Sequence, residues 1–407
     1  MNNGFTEFVR ALLHIDDSFH ISRIERTSEP EAMIHIYLEY CLSYCEIEGK
    51  RYNLYDHAPV RTWQHLSWFE YPCFIVCRLP RYIDSAGKVK TMDVSFAQKG
   101  KSYTRLFSAH VIAALQEIKI QHAVANLFQT SPYIVRSIME NAVNDALDAR
   151  GEITDLLTVS LDEKAFKKGH NYATILIDSQ KDYVVEMTEG RAEKDVKMLF
   201  YCISSQEEQP QLQRVNIDMW RPYINVIEDI APQAMIVHDK FHIVKKLSEA
   251  IDKTRRKEVQ YEPLLKNNRF TVLKNEQNRT QIQQSIFEQL DKANFKTAQA
   301  WHIRENFKSL FEIQDTTVSG NMLYDWMTNS MEKGLNFVND AINTIKNHVK
   351  GVVNALITGT DSAKHENMNG RIQAVLAKAR GFKNFDRFRV NVLFYFGKLD
   401  INPLKFY

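Results

Sequence analysis

The sequence is poor in cysteine, has no long apolar run and carries almost no excess of charge. Five cysteines scattered over 407 residues do not indicate a disulfide framework. No stretch approaches the roughly 20 apolar residues that a membrane-spanning helix needs. Residues 1–17 contain acids and lack the apolar core of a signal peptide. We therefore expect a soluble, cytoplasmic protein without a membrane partner.

The composition is otherwise that of a folded protein with several domains. An apolar content of 44% with 11% aromatics argues against large-scale disorder, and the length favours about two to four domains. The net charge of +2 says little about nucleic acid. Basic residues cluster at 253–257 and again between Lys378 and Arg389. Such clusters are either solvated helix faces or DNA contacts, and both interpretations stay open.

Two cysteine pairs lie in the N-terminal quarter, each with three residues between its cysteines. Thiolates at short spacing can close a tetrahedral zinc site, which makes Cys41 and Cys45 candidate ligands. Zinc knuckles usually space their cysteines by two residues, however, and Cys73 to Cys77 has the pattern of a strand. Buried structural cysteine is therefore the alternative. We expect a helix or two up to about residue 40, followed by a small sheet.

Residues 104–150 change to a helical pattern. A helix is expected before a tight turn, and Ser131 followed by Pro132 is typical of an N-cap with proline at the first helical position. Helix, turn and capped helix is the order of a helix-turn-helix, whose second helix lies in the DNA major groove. A three-helix packing unit that does not bind DNA is the alternative.

From residue 154 the pattern alternates between strands and helices. Apolar runs predict three strands, a helix, a strand, a helix and a fifth strand, which is the ribonuclease H-like order. Asp162 ends the first strand, Asp218 the fourth and Asp239 the fifth. In this order the first and fourth strands are parallel neighbours, so Asp162 and Asp218 are expected to meet at their carboxyl ends. Glu366, early in a helical segment, would bring a third carboxylate across the sheet.

Three clustered carboxylates suit Mg2+, a hard cation that prefers oxygen ligands. Two such ions can activate a nucleophile and stabilise a leaving oxygen in phosphoryl transfer. Each aspartate alone is weak support for a metal site, because acids at strand ends are often turn formers or helix N-caps.

Residues 258–359 are helical in pattern and are predicted to form an insertion, with Trp301 and Trp326 in its core.

Four ordered motifs resemble the DDE-type insertion-sequence transposases of the ISL-three family, and the resemblance covers essentially the whole chain. The motifs are Leu161-Asp162-Glu163 with residues 166–172, residues 217–220 with Tyr223, residues 237–244, and residues 366–372 followed by 379–382. The resemblance implies a DNA transposase with a ribonuclease H-like catalytic domain that a helical insertion interrupts. A zinc-binding segment and a helix-turn-helix would precede it. The implied domains are 1–103, 104–150, 151–257, 258–359 and 360–407.

The resemblance also assigns the site residues. Asp162, Asp218 and Glu366 become the catalytic carboxylates and the ligands of Mg2+ or Mn2+. Asp239 with His242 resembles a signature found beside the acids in related transposases, and Asp239 as the second catalytic acid is the alternative to Asp218. His242 is either a histidine at a helix start or a residue of the site or DNA contact.

This sequence departs from the family pattern in its N-terminal segment. The second cysteine pair is expected after Pro80-Arg81, and no cysteine follows there. Cys41 and Cys45 would keep half a zinc site at most.

The implied partner is double-stranded DNA, as terminal inverted repeats and as target, bound by a homo-oligomer that associates with the nucleoid of a bacterial cell. The residues expected to contact DNA are Ser131, Tyr133, Arg136, Lys167, Lys168, Arg255, Arg256, Arg371 and Arg380. The implied reaction is attack by water at each element end, which frees a 3′ hydroxyl for attack on target DNA. A DNA-binding protein that has lost catalysis and a nuclease without strand transfer are the alternatives.

Overall fold

The computed structural model of the protein describes residues 3–28, 32–153, 155–167, 169, 171–201, 211–313, 319–359, 362–379 and 381–403, without the side chains of residues 3 and 362–366. The chain divides into two compact units. The first is Met1–Arg150 with Leu399–Tyr407, and the second is Gly151–Lys398. In the described part of the chain, no helix is long and apolar enough to cross a bilayer.

The first unit opens with a helix and continues with two sheets. The elements are α1 (Asn3–Leu12), β1 (Phe19–Thr27), β2 (Met33–Tyr40), β3 (Tyr44–Ile47), β4 (Lys50–His57), β5 (Arg61–Trp68), β6 (Tyr71–Cys77), β7 (Pro80–Ile83) and β8 (Val89–Thr91). The sheets have the orders β1-β2-β6-β5 and β3-β4-β7-β8. Apolar side chains such as Ile36, Trp63 and Ile75 form the core of this unit.

The expectation of helix up to about residue 40 is wrong beyond α1. Both β1 and β2 are strands, because Ile34, Ile36 and Leu38 are buried and alternate with more exposed neighbours. This two-residue period is that of a strand with one face on the core. The strand expected at Cys73 to Cys77 is confirmed as part of β6.

Three helices complete the first unit, and they are α2 (Arg105–Ile118), α3 (Gln121–Leu127) and α4 (Pro132–Ala149). Ser131 is the N-cap of α4, and its hydroxyl accepts the backbone N–H of Ile134 at 3.2 Å. The Gln64 amide donates to the carbonyls of Phe128 and Gln129, both at 3.2 Å, and fixes the turn before α4 against β5. The predicted order of helix, turn and Ser-capped helix is confirmed as local structure.

The second unit is built on a five-stranded sheet of order β11-β10-β9-β12-β13. The elements in chain order are β9 (Thr158–Lys167), β10 (Asn171–Asp178), β11 (Tyr183–Glu189), α5 (Glu193–Tyr201), β12 (Arg214–Ile217), α6 (Arg221–Ile230) and β13 (Met235–His238). β10 is antiparallel to β9 and β11, whereas β12 is parallel to β9 and β13. The predicted order of elements and the parallel pairing of the first and fourth strands are both confirmed.

The first strand of this sheet is longer than predicted. It was expected to end at Asp162, and instead β9 continues to Lys167. The reason is its antiparallel pairing with β10, which extends along the strand to Lys167. The parallel pairing with β12 stops at Ser160. Asp162 therefore lies within a strand, just beyond the end of its parallel partner.

A helical region follows the sheet, as predicted. It comprises α7 (Lys240–Glu258), α8 (Arg269–Leu273), α9 (Gln281–Lys292), α10 (Lys296–Ser309), α11 (Ser319–Met331), α12 (Asn336–Asn347) and α13 (Val349–Thr358). These helices share an apolar core to which Trp301, Phe307 and Trp326 contribute. The prediction that Trp301 and Trp326 are core residues is confirmed.

The last helices of the second unit are α14 (Ser362–Ala379) and α15 (Phe385–Phe396). Gly381, whose φ of +89° favours glycine, donates its backbone N–H to Leu376 at 3.0 Å after α14 ends. The next N–H, of Phe382, donates to the carbonyl of Phe166 near the end of β9, also at 3.0 Å. The segment that follows α14 is thereby joined to the central strand of the sheet.

Candidate active site at the ends of two parallel strands

Asp162 and Asp218 lie at the same level of the sheet. Asn216 pairs with Ser160 across the parallel strands β12 and β9, so the residues two positions further on are Asp218 and Asp162. Each carboxylate accepts through its Oδ1 the backbone N–H of the residue that follows it. The two side chains are thus oriented by the same local hydrogen bond.

His242 connects these two carboxylates. It lies in the first turn of α7, which begins directly after β13, and Asp239 caps that helix by accepting the Phe241 N–H at 2.8 Å. The His242 Nδ1 is 3.3 Å from Asp218 Oδ2, and its Nε2 is 4.0 Å from Asp162 Oδ1. One imidazole ring therefore spans the distance between the two aspartates.

The charges of these groups shift their protonation equilibria. Burial lowers the pKa of His242, but the hydrogen bond to Asp218 and the charges of Asp218, Asp239 and Asp162 outweigh burial, so the net pKa lies above its usual value. Burial raises the pKa of Asp218, but the hydrogen bond and charge of His242 hold it below its usual value. The pair favours an ionised carboxylate beside a protonated imidazole.

Lys164 provides a second cation. Its Nζ is 2.8 Å from Asp162 Oδ2, and the two side chains are 19% and 12% exposed. Asp162 Oδ2 is buried, and apart from this ion pair it accepts no hydrogen bond from the described residues. This oxygen is a buried acceptor that a better-placed ligand could use.

Arg191 stabilises the segments next to Asp162 and Asp218. Its Nη1 donates to the Glu163 carboxylate at 3.0 and 3.2 Å, and its guanidinium lies 4.4 Å from the ring centroid of Tyr172 and 4.9 Å from that of Trp220. Trp220 follows Asp218 by two residues and is 41% exposed. The arrangement ties the end of β12 to β9 and β10, and so helps to position Asp218.

The third acid, Glu366, belongs to α14, but its side chain lies outside the described residues. The described side chains of that helix do not bond to Asp162 or Asp218. Arg371 instead pairs with Asp182 at 3.4 Å, and its guanidinium lies 4.8 Å from the ring of Phe396. Among the described residues, no group of three or more His, Cys, Asp or Glu side chains has the arrangement of a metal site.

The N-terminal cysteines do not assemble a zinc site among the described residues. Cys41, Cys45, Cys73 and Cys77 are free thiols, and all but Cys41 are buried. Burial raises the pKa of Cys73 and Cys77 to about 12 and also raises those of Cys41 and Cys45. Cys45, Cys73 and Cys77 therefore lie in the core as buried thiols, whereas Cys41 is exposed and its Sγ lies 3.1 Å from His20 Nδ1.

The residues expected to contact DNA differ in whether their polar groups are free to reach a ligand. The Ser131 hydroxyl is occupied as the N-cap. Tyr133 is exposed, and the Arg136 guanidinium lies 5.7 Å from its ring centroid. In the second unit Lys167 is exposed at the end of β9. Lys168 and Arg380 lie outside the described residues.

The two arginines expected at the end of α7 also differ. Both pair with the buried Asp252, Arg255 at 2.9 Å and Arg256 at 3.1 Å. The Arg255 side chain is 12% exposed and the Arg256 side chain is 64% exposed. Arg256 can therefore reach a ligand in solvent, whereas Arg255 is mostly enclosed by the protein.

Lys164 and Arg191 are the residues of the site that the sequence motifs missed. Lys164 follows Asp162 by two residues, and the two-residue period of a strand places both on one face. That signal could have identified it. Nothing in the sequence relates Arg191 to Glu163, because their contact depends on how β9, β10 and β11 pair.

The chain is a member of a transposase family. The sequence profile of the DDE transposases of the ISL3 type, described as "Transposase", matches residues 159–392. This is more than half of the chain and includes Asp162, Asp218 and Glu366, so the chain belongs to that family. The resemblance that the motifs indicated is confirmed.

Individual relatives are transposases of insertion sequences. The transposase for insertion sequence element IS1001 of Bordetella parapertussis is 24% identical over 387 residues, which cover 92% of this chain and 94% of the relative. The transposase for IS1557 of Mycobacterium tuberculosis is 22% identical over 366 residues, or 83% and 82%. Among solved structures, the Drosophila P element transposase strand transfer complex aligns with a TM-score of 0.35 and 9% identity over 78% of this chain and 95% of that one. That similarity is too low to support an inference.

Proposed function

We propose that this protein is the DNA transposase of an insertion sequence, which binds the terminal inverted repeats of its element and catalyses metal-dependent strand cleavage and strand transfer. The observation that carries the proposal is that Asp162 within β9 lies level with Asp218, just past the end of the parallel strand β12, with His242 between them. Membership of the transposase family supports the same reaction class. The strand order of the sheet supports a ribonuclease H-like catalytic domain.

The donors present fit a hard divalent cation. Asp162 and Asp218 offer carboxylate oxygens, the ligands that Mg2+ and Mn2+ prefer, and Asp162 Oδ2 is buried without a hydrogen bond. We assign these two aspartates as ligands. When bound, such cations activate a water molecule and stabilise the leaving oxygen of a phosphodiester.

Glu366 is the proposed third acid, on its place in the family motif and in α14. Asp239 is the alternative to Asp218 as second acid. The contacts favour Asp218, since its carboxylate bonds to His242, whereas the Asp239 carboxylate caps α7. His242 is proposed to orient Asp218 and to balance the negative charge of the pair.

The proposed reaction has two steps at each end of the element. Water attacks the phosphodiester, the bond from phosphorus to the leaving 3′ oxygen breaks, and a proton restores the 3′ hydroxyl. That hydroxyl then attacks a phosphodiester of target DNA, where a second 3′ oxygen leaves. The protein forms no covalent intermediate. Its residues position the strand and hold charge at the reacting phosphate.

DNA binding is assigned to surfaces that the structure leaves accessible. In the first unit, α4 presents Tyr133 and Arg136, and residues 104–150 are proposed as a helix-turn-helix. In the second unit, Lys167 and Arg256 are exposed. The remaining proposed domains are a catalytic core at 151–257 and 360–407, with the helical insertion at 258–359. Processing of two ends supports a homo-oligomer on DNA.

Cleavage of the natural substrate tests this function. Full-length protein is incubated with Mg2+ and labelled DNA that carries the end of its element, and both cut and joined strands are measured. We expect cleavage and joining by the wild type, loss of both with Asp218→Ala, and retention with Asp239→Ala. Cleavage without joined strands would favour a nuclease. Specific binding without cleavage in Mg2+ or Mn2+ would favour a DNA-binding protein that has lost catalysis.

A further inference from the structure

Lys164 is a charged residue of the site to which neither the motifs nor the proposed reaction assigns a role. Its Nζ lies 2.8 Å from Asp162 Oδ2. We propose that Lys164 contacts a phosphate of the bound DNA strand, and that its ammonium group competes with the divalent cation for the Asp162 carboxylate. This inference rests on the proposed function and adds a substrate contact to it.

The strand geometry places Lys164 where a DNA strand could approach. Asp162 and Lys164 are two residues apart on β9, so their side chains leave the strand on the same face. Pairing of β9 with β12 ends at Ser160. Beyond Ser160, no strand of the described chain pairs with that edge of β9. The edge beside Asp162 and Lys164 is therefore not covered by a neighbouring strand.

The ammonium group of Lys164 also has donors to spare. A lysine carries three N–H donors, and the Asp162 carboxylate is the ion-pair partner of Lys164 among the described residues. Arg191 is a useful contrast, because its guanidinium is held by Glu163 and by the rings of Tyr172 and Trp220. The Lys164 side chain, 19% exposed, is more enclosed than that of Arg191, 39% exposed, but Arg191 is held by several groups, whereas Lys164 has one described ion-pair partner that a phosphate could replace.

The negative charge of the two carboxylates favours a contact between Lys164 and the phosphate. Asp162 and Asp218 already place two carboxylates within reach of one imidazole. A phosphodiester adds a negative charge, and repulsion between charges a few ångströms apart opposes its binding. A lysine on the same face as Asp162 offsets that repulsion. Its charge also opposes a divalent cation at the carboxylate, which gives the proposal a consequence that can be measured without DNA.

Cation affinity is the first test. Mn2+ binding to the full-length protein is measured by electron paramagnetic resonance for the wild type, Lys164→Met, Lys164→Arg and a control, Lys197→Met. Lys197 forms an ion pair with Asp229 between α5 and α6. We expect Lys164→Met to bind Mn2+ about fivefold more tightly or better, because a positive charge beside the ligand is removed. The arginine variant and the control should match the wild type.

The salt dependence of DNA binding is the second test. The affinity for DNA carrying the element end is measured over a range of salt concentrations. A plot of log affinity against log salt concentration has a negative slope, and loss of one phosphate contact makes that slope shallower by about 0.9. We expect that decrease for Lys164→Met and recovery of the wild-type slope for Lys164→Arg, while Lys197→Met keeps the slope unchanged.

The outcomes separate this proposal from the proposed function. If the ion pair only stabilises the fold, Lys164→Met will unfold more easily while its Mn2+ affinity and salt slope equal those of the wild type, and the proposal is overturned. A wild-type protein that binds neither Mn2+ nor DNA would contradict the proposed function itself, and the Lys164 proposal with it. Tighter Mn2+ binding together with the lower slope supports both.

Discussion

Two aspartate centres of the second unit differ in how fully their charge is paired. Asp252 on α7 faces three arginines, Arg255 at 2.9 Å, Arg256 at 3.1 Å and Arg269 at 3.4 Å. At the strand ends, two aspartates share one imidazole and one lysine. The first centre has an excess of positive charge around a single carboxylate. The second has two carboxylates and two cationic partners, the Lys164 ammonium and the His242 imidazole.

The difference indicates which carboxylates can take a divalent cation. A carboxylate surrounded by three guanidinium groups has its lone pairs occupied and lies in a positive potential, so it serves the fold. In the candidate active site, a buried oxygen of Asp162 accepts no hydrogen bond from the described residues and has Lys164 as its ion-pair partner, and its neighbour Asp218 adds a second negative charge. Both centres are rich in charge, and only contact geometry distinguishes the structural one from the candidate active site.

The largest expected effect comes from removing one negative charge from the strand ends. Asp162→Asn should lower the rate of strand cleavage on the order of a thousandfold, as expected when a group that stabilises the reacting centre is lost. Affinity for the element end should remain within about threefold of the wild type, because the Asp162 carboxylate is assigned to the cation and not to a DNA contact. Single-turnover cleavage and equilibrium binding measure the two quantities separately. Equal loss of both would contradict the assigned role.

Two histidines, His242 with a side chain 23% exposed and the buried His65, extend the comparison to a pH effect. His242 faces carboxylates, whereas His65 in the first unit contacts the neutral Thr104 hydroxyl at 2.8 Å, and burial lowers the pKa of His65 to about 4. Because the unfolded chain binds this proton near pH 6.5, His65 costs no stability above that pH. Below it, stability falls progressively until about pH 4, by on the order of 3 kcal/mol.

His65→Gln is the variant that isolates this effect. Glutamine can keep a hydrogen bond to Thr104 but does not titrate. Urea unfolding is measured between pH 4 and 7, with hydrogen exchange of peptides from residues 61–77 as the readout. On acidification, the variant should lose less stability than the wild type. Parallel curves for the two proteins would show that His65 does not cause the loss.

The third prediction concerns the fully paired centre. Asp252→Asn should lower the free energy of unfolding by about 2 kcal/mol, because it leaves the mostly buried Arg255 without its carboxylate. Denaturant unfolding measures this loss. The cleavage rate per folded molecule should stay at the wild-type value. A variant that is stable but inactive would mean that Asp252 belongs to the active site after all.

The smallest expected effect separates the two neighbouring arginines. Arg256→Gln should weaken DNA binding about threefold and lower its salt slope by about 0.9, since an exposed phosphate contact would be lost. Arg255→Gln should leave the slope unchanged and lower stability, because its guanidinium is mostly buried against Asp252. Filter binding over a salt series compares the two. Equal salt slopes for both variants would show that Arg256 does not contact a DNA phosphate.

Much of the sheet could be predicted because its signals are local. Apolar runs mark the strands, and parallel pairing of the first and fourth places Asp218 beside Asp162. The two-residue period of Ile34, Ile36 and Leu38 was present in the sequence as well, and it shows why the helical expectation there was wrong.

The rest depended on contacts between distant segments. β9 runs past Asp162 because β10 pairs with it, which no local pattern indicates. The basic cluster 253–257 does not reveal that Arg255 is enclosed and Arg256 is exposed. The place of His242 between two carboxylates follows from the position of α7 after β13, and only the distances show it.

The central claim is that Asp162 and Asp218 hold the divalent cation, and the most direct test is to find which residues lie near the bound cation. Fe2+ replaces Mg2+ in the full-length protein, and with ascorbate and peroxide it generates radicals that cut the backbone nearby. We predict cuts near residues 162, 218 and 366, all suppressed by excess Mg2+, whereas a cut near residue 239 in place of the one near 218 would select Asp239 as the second acid. Absence of the cuts at 162 and 218, or a cut near 252 in their place, would contradict the account.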